Sequence, residues 1–386
     1  MRDHRARALL GLLLIPATTV PAPPTATSAA IQGGNERVRG DQWHLRYLRA
    51  AEAQRISQGA GVLVAVPDTG VDPHPDLRNN LLPGTDMISP ASGDGRHDED
   101  SHGTGMAGLI AAHGRANLGA LGVAPRAKIL PIRIKATNER GNSDDLAEAV
   151  TYAVDQGAGI ISISLVGEPD ARLQHAIEVA VTANVVVVAG AGNHPPRKSV
   201  GFPAAYPGVI AVGGIDRSGR RATTAVTGPE IDVVAPAVDI YSTSIDGKYR
   251  KGIGTSDATA IVAGAAALIR SKYPYLPAAE VAHRLTATAV DKGPPGKDDE
   301  YGYGVIDLVA ALTADVPPLG FESPTATSPS AGTTTTAIGG SAGNEDGGGA
   351  TARGLATLTA IIAAGGGYLF WRRRRCAGDP PPRISR

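Results

Sequence analysis

The run from Ala258 to Ile269 is apolar on every side and is interrupted only by Thr259 and Gly264. A helix of that composition has no face for water, so it must lie inside a domain that surrounds it. A chain of 386 residues is long enough to build such a domain. The run is entered through Gly254-Thr255-Ser256-Asp257. A serine at the mouth of a buried helix has its hydroxyl in the positive field of the helix N-terminus, near free backbone N–H groups. It can cap the helix, or it can be a nucleophile with an oxyanion site beside it. Taken alone the stretch reads better as a cap; only a base and an orienting acid elsewhere change that.

The segments before it alternate. Gly61 to Val66 is a continuous apolar run that suits a buried parallel strand and ends at Pro67-Asp68-Thr69-Gly70. Ser101 to Ala112 is a second small-residue buried helix, with His102 in its first turn. Ala127 to Ile134 predicts a strand, and Ser143 to about Gln156 a helix with Asp144 and Asp145 where the dipole favours them. Strands follow at 159–165, 185–189 and 209–212, with a helix at 171–182 between the first two. Short strands are expected at 231–235 and 240–242, and a last helix at 278–289. Alternation of this kind predicts an α/β fold, a doubly wound and mostly parallel sheet with helices on both faces. A polar arm precedes it, extended and then a short helix from about Leu48 to Ser57.

The ends carry membrane signals. Arg2, Arg5 and Arg7, the apolar core Leu9 to Ile15 and Ser28-Ala29-Ala30 have the layout of a secretory signal. Gly354 to Trp371 is uncharged and spans roughly 27 Å at about 1.5 Å per residue, enough for a membrane helix. Arg372 to Arg375 follow at once, which keeps the tail cytoplasmic and puts the preceding chain outside. The expected organisation is a signal peptide over 1–30, an arm over 31–60 and the main domain over 61–315. A linker rich in Pro, Thr and Gly follows over 316–353, then a membrane helix over 354–371 and a basic tail over 372–386. No large pro-domain fits between signal and arm. A formal net charge of +0 leaves no global field for nucleic acid. The one cysteine, Cys376, lies beyond the main domain, so no disulfide can form within it.

A serine hydroxyl is a poor nucleophile at neutral pH. It needs a base to take its proton, and the base needs a carboxylate to fix its tautomer. Of nine histidines, His102 alone opens a small-residue helix that lets a substrate approach. His44, His74, His97, His113, His194 and His283 read as ordinary surface groups. Asp68, at a strand end, is the best acid, with Asp72 and Asp76 more structural. Asn193, after Gly190-Ala191-Gly192, is either a turn asparagine or an amide donor to an oxyanion. Asp94, Asp98, Glu99 and Asp100 read as a solvated acidic loop; the spacing matches no calcium loop, and no metal or other cofactor is expected.

Asp, His, Asn and Ser in this order resemble the subtilisin-like serine proteases (peptidase S8). The match is carried by Val64-Ala65-Val66-Pro67-Asp68-Thr69-Gly70-Val71, by His102-Gly103-Thr104 with Ala107-Gly108, and by Gly254-Thr255-Ser256 with Val262-Ala263-Gly264. Ala189 to Asn193, and Val233, Ala235 and Pro236 with Ile240-Tyr241-Ser242, add to it, and the resemblance covers about Asp41 to Leu312. It implies a serine endopeptidase with Asp68 as orienting acid, His102 as general base, Ser256 as nucleophile and Asn193 as oxyanion donor. Peptide substrate would lie between the edges 134–141 and 164–167, against Ser164, Leu165, Gly167 and Gly190. Gly167 and Gly190 would leave space for the side chain before the scissile bond.

The short arm with Asp41-Gln42-Trp43-His44-Leu45, the tether and the C-terminal span narrow the resemblance to mycosins, the membrane-anchored subtilases of type VII secretion. That implies a cell-membrane location and secretion machinery as partner. A weakly active or inactive subunit supporting a secretion complex is the alternative. Three residues depart from the family pattern: Asp257 where an apolar residue is usual, Ala260 where proline is usual, and Pro67 before the acid. Mycosins also usually carry disulfides, which this chain cannot form.

Overall fold

The structure is a computed structural model, and it describes residues 30–31, 35–88, 93–116, 118–136, 142–195 and 197–320. The expected signal peptide, most of the expected linker, the 354–371 span and the basic tail lie outside the described residues. Among the described residues no helix is long and apolar enough to cross a membrane.

The strands are β1 (Ala30–Ile31), β2 (Leu63–Asp68), β3 (Thr85–Asp86), β4 (Lys128–Arg133), β5 (Ile160–Ile163), β6 (Val186–Gly190), β7 (Val209–Ile215), β8 (Val233–Pro236), β9 (Val238–Thr243) and β10 (Tyr249–Ile253). The helices are α1 (Asn35–Asp41), α2 (Trp43–Tyr47), α3 (Ala50–Ile56), α4 (His102–Ala111), α5 (Ser143–Asp155), α6 (Ala171–Thr182), α7 (Thr255–Lys272), α8 (Ala278–Ala287) and α9 (Leu308–Thr313).

Seven strands form one sheet in the order β3-β4-β2-β5-β6-β7-β8, every neighbouring pair parallel. From β2 the chain crosses to the edge strand β3, comes back to place β4 between β3 and β2, and then lays β5 on the other side of β2. The order therefore reverses between β2 and β5, and the C-terminal ends of those strands flank the crevice where α/β sheets bind ligands. A second, antiparallel sheet joins β1, β10 and β9. The doubly wound reading holds.

Helix α7 is buried from Thr255 to Ile269 apart from half-buried Ser256, and packs against α4 and strands β5 to β8. That is the all-round burial its composition demands.

Pro67 does not break the sheet. The carbonyls of Val62 and Asp68 accept from Lys128 and Ile134 on the β4 side, whereas that of Leu63 accepts from Gly159 on the β5 side. Backbone groups of β2 alternate, so Pro67 faces β5. The β2–β5 register runs only through Val64 and Ala65. The N–H that proline lacks falls where that ladder has already ended.

The arm is a correction. It is helical through α1, α2 and α3, where an extended arm and one helix were expected. Helices this short are marginal alone. They are held by the body: the Gln42 amide donates to the carbonyls of Leu121 (2.9 Å) and Tyr241 (3.1 Å) and accepts from the Leu121 N–H. The Trp43 indole donates to the carbonyl of Val238 at 3.0 Å.

His44 and His74 also differ from expectation, since both are wholly buried. Neither ring nitrogen of His44 has a hydrogen-bond partner among the described residues, and burial, with Arg46 adding, lowers its pKa to about 3. The ring is neutral in the fold and protonates readily once unfolded. Its contribution to stability is complete above 6.5 and is lost as pH falls from there toward 3. His44→Leu is therefore expected to flatten the acid side of the stability profile, by about 2–3 kcal/mol at pH 4.5. Melting temperatures of both proteins at pH 7 and 4.5 check this; an equal acid loss in the two would remove His44 as the cause.

Candidate active site

Strand β2 ends on Asp68 because its apolar run stops at Pro67, and the carboxylate is wholly buried at the sheet's C-terminal edge. Helix α4 begins on His102, whose Nδ1 lies 2.8 and 2.9 Å from the two Asp68 oxygens. Their approach depends on Gly103: a Cβ there would sit 2.1 Å from the Gly70 carbonyl oxygen and 3.1 Å from Asp68 Cβ. Thr69 locks the arrangement, its N–H donating to Asp68 Oδ1 at 2.7 Å and its hydroxyl oxygen accepting from the Gly103 N–H at 3.0 Å. Burial pushes the Asp68 carboxyl up. The charge and hydrogen bond of His102, the charge of Lys135 and the Thr69 N–H outweigh it and hold the carboxyl below its ordinary value. A carboxylate ionised in this way fixes the proton on Nδ1 and leaves Nε2 to accept.

Asp98 holds the start of α4, a role the sequence reading missed. Its Oδ1 accepts from the N–H groups of Asp100 and Ser101, and its Oδ2 from the N–H and hydroxyl of Thr104. Those bonds fix Ser101 in a left-handed conformation immediately before His102. The expectation of a solvated acidic loop is thus wrong for Asp98, which is buried, and incomplete for Glu99, which pairs with Arg133 at 2.9 Å. The spacing of an aspartate three before a helix-opening serine was the available signal.

Ser256 lies in the first turn of α7. The turn is entered through Gly254 at φ +153°, where a Cβ would come 3.0 Å from Asn193 Nδ2. Asn193 Oδ1 accepts the Thr255 N–H at 3.0 Å, which leaves its NH2 group for another acceptor. The Ser256 hydroxyl donates to the Ser164 carbonyl at 3.4 Å, and the Ser164 hydroxyl to the Ser256 carbonyl at 3.3 Å. Among the described residues Ser256 forms no hydrogen bond with His102.

Ser164, Leu165, Gly167, Gly190, Asn193 and Ser256 all line one cleft of about 880 Å³. The two glycines differ. A side chain at Gly167 would meet only the Ser143 hydroxyl, at 3.7 Å, so space is open there. One at Gly190 would meet the hydroxyls of Thr259 and Thr255 at 3.0 and 3.2 Å. Gly190 lets α7 approach β6 rather than widening the cleft.

Asp257 is buried and is not among the cleft-lining residues. Its carboxylate lies under Gly252, where a Cβ would be 2.5 Å from Oδ1. Burial raises its pKa, against the opposing charges of Arg250 and His102. A raised carboxyl pKa means that the fold holds the proton more tightly than the unfolded chain does. That contribution is complete below the unfolded value and is lost as pH rises through the folded one. Asp257→Asn has no proton to lose. Its melting temperature relative to the parent protein is expected to rise between pH 4 and pH 8, measured with both in an inactive background; a constant difference would contradict the assignment. Ala260, the other departure in this turn, is also wholly buried.

A buried carboxylate on an imidazole at one strand end, and a serine at a helix mouth facing a primed amide, can support acyl transfer. Among serine endopeptidases, these parts in this order along a doubly wound sheet mark the subtilisin-like class. Residues 59–304 match the subtilase family, and the chain belongs to it. It is 39% identical to Mycosin-1 of Mycobacterium tuberculosis, over 72% of this chain and 74% of that one. It is 37% identical to the thermostable alkaline protease of Halalkalibacterium halodurans, over 68% and 71%. Among solved structures, the serine protease MycP1, an essential component of the type VII (ESX-1) secretion system, superposes with a TM-score of 0.65 at 35% identity, covering 75% of this chain and 92% of that one. The protein is thus a serine endopeptidase of the subtilase family, related to the mycosins.

Proposed function

We propose that Asp68, His102 and Ser256 form a catalytic triad and that Asn193 donates to the oxyanion. Nε2 of His102 takes the Ser256 proton as Oγ attacks the peptide carbonyl; the negative charge that develops is met by the Asn193 NH2 and the Ser256 N–H. The acyl-enzyme forms as Nε2 returns the proton to the leaving amine, and water then hydrolyses it by the same route. The observation that carries this reading is the contact of His102 Nδ1 with both oxygens of buried Asp68, 2.8 and 2.9 Å. For attack, the Ser256 hydroxyl must rotate from the Ser164 carbonyl toward His102. Ser164, Leu165 and Gly167 would hold the peptide by strand addition.

The enzyme acts at the outer face of the cell membrane, anchored by 354–371 after export directed by 1–30, with 372–386 inside. Similarity to mycosins supports a role in type VII secretion, with the secretion machinery as partner. A fluorophosphonate probe on membranes from cells making the full chain tests site and anchor together. A labelled band in the membrane fraction, absent for Ser256→Ala, is expected. Equal labelling of the variant would refute the triad, and a labelled soluble band would refute the anchor.

The second reading is a protease-fold subunit that supports a secretion complex with little activity of its own. It rests on Asp257 and Ala260 as departures from the family pattern, but both are buried and neither lines the cleft, which favours the enzyme.

A further inference from the structure

The chain has a formal net charge of +0, yet its cleft is lined by three cations, Lys135, Arg197 and Lys198, and one acid, Glu168. The acid is already engaged: Arg197 donates to Glu168 Oε1 at 3.0 Å and to the Gly167 carbonyl at 2.8 Å. That pair braces the 164–168 edge and cancels its own charge. Neither Lys135 nor Lys198 forms an ion pair among the described residues, so both carry their charge into the cleft without a directly bonded carboxylate there.

The two lysines stand on opposite sides of the edge that would hold substrate. Gly167 faces Ser143 at the start of α5 on one side, and Lys135 lies on that wall with Asn142, Ser143 and Leu146. On the other side Gly167 pairs with Phe202 and is held by Arg197, and Lys198 lies on that wall with Ser199. Lys135 is near enough to lower the Asp68 carboxyl, so its charge reaches the reaction centre. A peptide laid along 164–167 runs between the two cations, in a cleft that the aliphatic side chains of Leu146, Leu165 and Leu173 also line.

We infer that the cleft selects acidic substrates: segments with Asp or Glu among the residues on the acyl side of the scissile bond, set between aliphatic side chains. The inference rests on the proposed reading of this cleft as the peptide site. Low-dielectric walls focus the field of the two lysines, and complementary charge favours encounter and register more than tight binding. Two partly exposed pairs, attractive with an acidic peptide and repulsive with a basic one, amount to about a tenfold difference between the peptides.

The test uses three quenched fluorescent peptides of one sequence, with the second to fourth residues before the scissile bond acidic, neutral or basic. With the full chain at low salt, kcat/KM is expected to be about tenfold higher for the acidic than for the basic peptide, and to converge as salt rises. The double variant Lys135→Glu, Lys198→Glu is expected to reverse the order of the three peptides, read as ratios of kcat/KM within the variant because Lys135 also acts on Asp68. Equal rates for the three peptides, or an order that survives the charge reversal, would overturn the inference. Anisotropy binding of the same peptides to Ser256→Ala separates the two proposals. A charge preference in binding without cleavage by the parent protein supports the acidic-substrate inference and sinks the catalytic reading; cleavage without preference does the reverse.

Discussion

Ser256→Ala is expected to lower kcat against a peptide about 10⁶-fold, a scale carried over from subtilisin itself. With no hydroxyl, the imidazole has no proton to take, and the Asp68–His102 pair orients a base that serves nothing. His102→Ala added to Ser256→Ala should therefore cost almost nothing further, although it is severe alone. Groups that act as one unit fail together, and that non-additivity tells a triad from three independent contributors. A residual rate of about 10³–10⁴ over water should remain, because the Asn193 amide and the cleft still bind and polarise the carbonyl. The measurement is steady-state hydrolysis by the purified full chain and by the single and double variants, with active-site titration to exclude carry-over of active enzyme. Ser256 is only half-buried and its recorded partner bond, to the Ser164 carbonyl, is long at 3.4 Å, so the variant should melt within a few degrees of the parent. If the double variant falls far below Ser256→Ala, serine and histidine do not work as a pair.

The parts of the site carried by long apolar runs were legible in the sequence. Strand β2 and helix α7 have no alternative to burial, so where the runs stop, at Asp68 and Ser256, their ends could be placed at the sheet edge. What depended on contacts between distant segments was not legible. Asp98 looks like any loop acid until Asp100, Ser101 and Thr104 turn four donors onto it. The arm reads as extended because α1 and α2 are too short to show a period, and their helicity comes from bonds to Leu121, Tyr241 and Val238, nearly 80 to 200 residues away. Pro67 reads as a lost ladder bond because the side it faces depends on the parity of β2 against two neighbours. Gly190 reads as space for substrate, whereas the space beside it belongs to Thr255 and Thr259. Composition shows that a residue is small or charged; only packing shows which neighbour requires it.

Asp68→Asn is expected to reduce kcat about 10⁴-fold near neutral pH, about 5 kcal/mol in the barrier, and to leave KM within a few-fold. The geometry makes this a change of tautomer more than of shape. In the parent protein both carboxylate oxygens face Nδ1, at 2.8 and 2.9 Å, and Oδ1 also accepts the Thr69 N–H at 2.7 Å. An asparagine keeps the Thr69 bond by leaving its oxygen on that N–H, which turns its NH2 toward Nδ1. The ring must then accept at Nδ1 and carry its proton on Nε2, the nitrogen that has to receive the proton of Ser256. The imidazolium formed on attack also loses the buried negative charge beside it, so the two losses fall on the same step. Fluorophosphonate labelling should slow in parallel with kcat, since both need the activated hydroxyl, while peptide binding should be nearly unchanged. A loss of less than tenfold, with labelling as fast as in the parent, would show that His102 does not depend on Asp68 for its tautomer. A loss confined to KM would move Asp68 from the chemistry to the shape of the cleft.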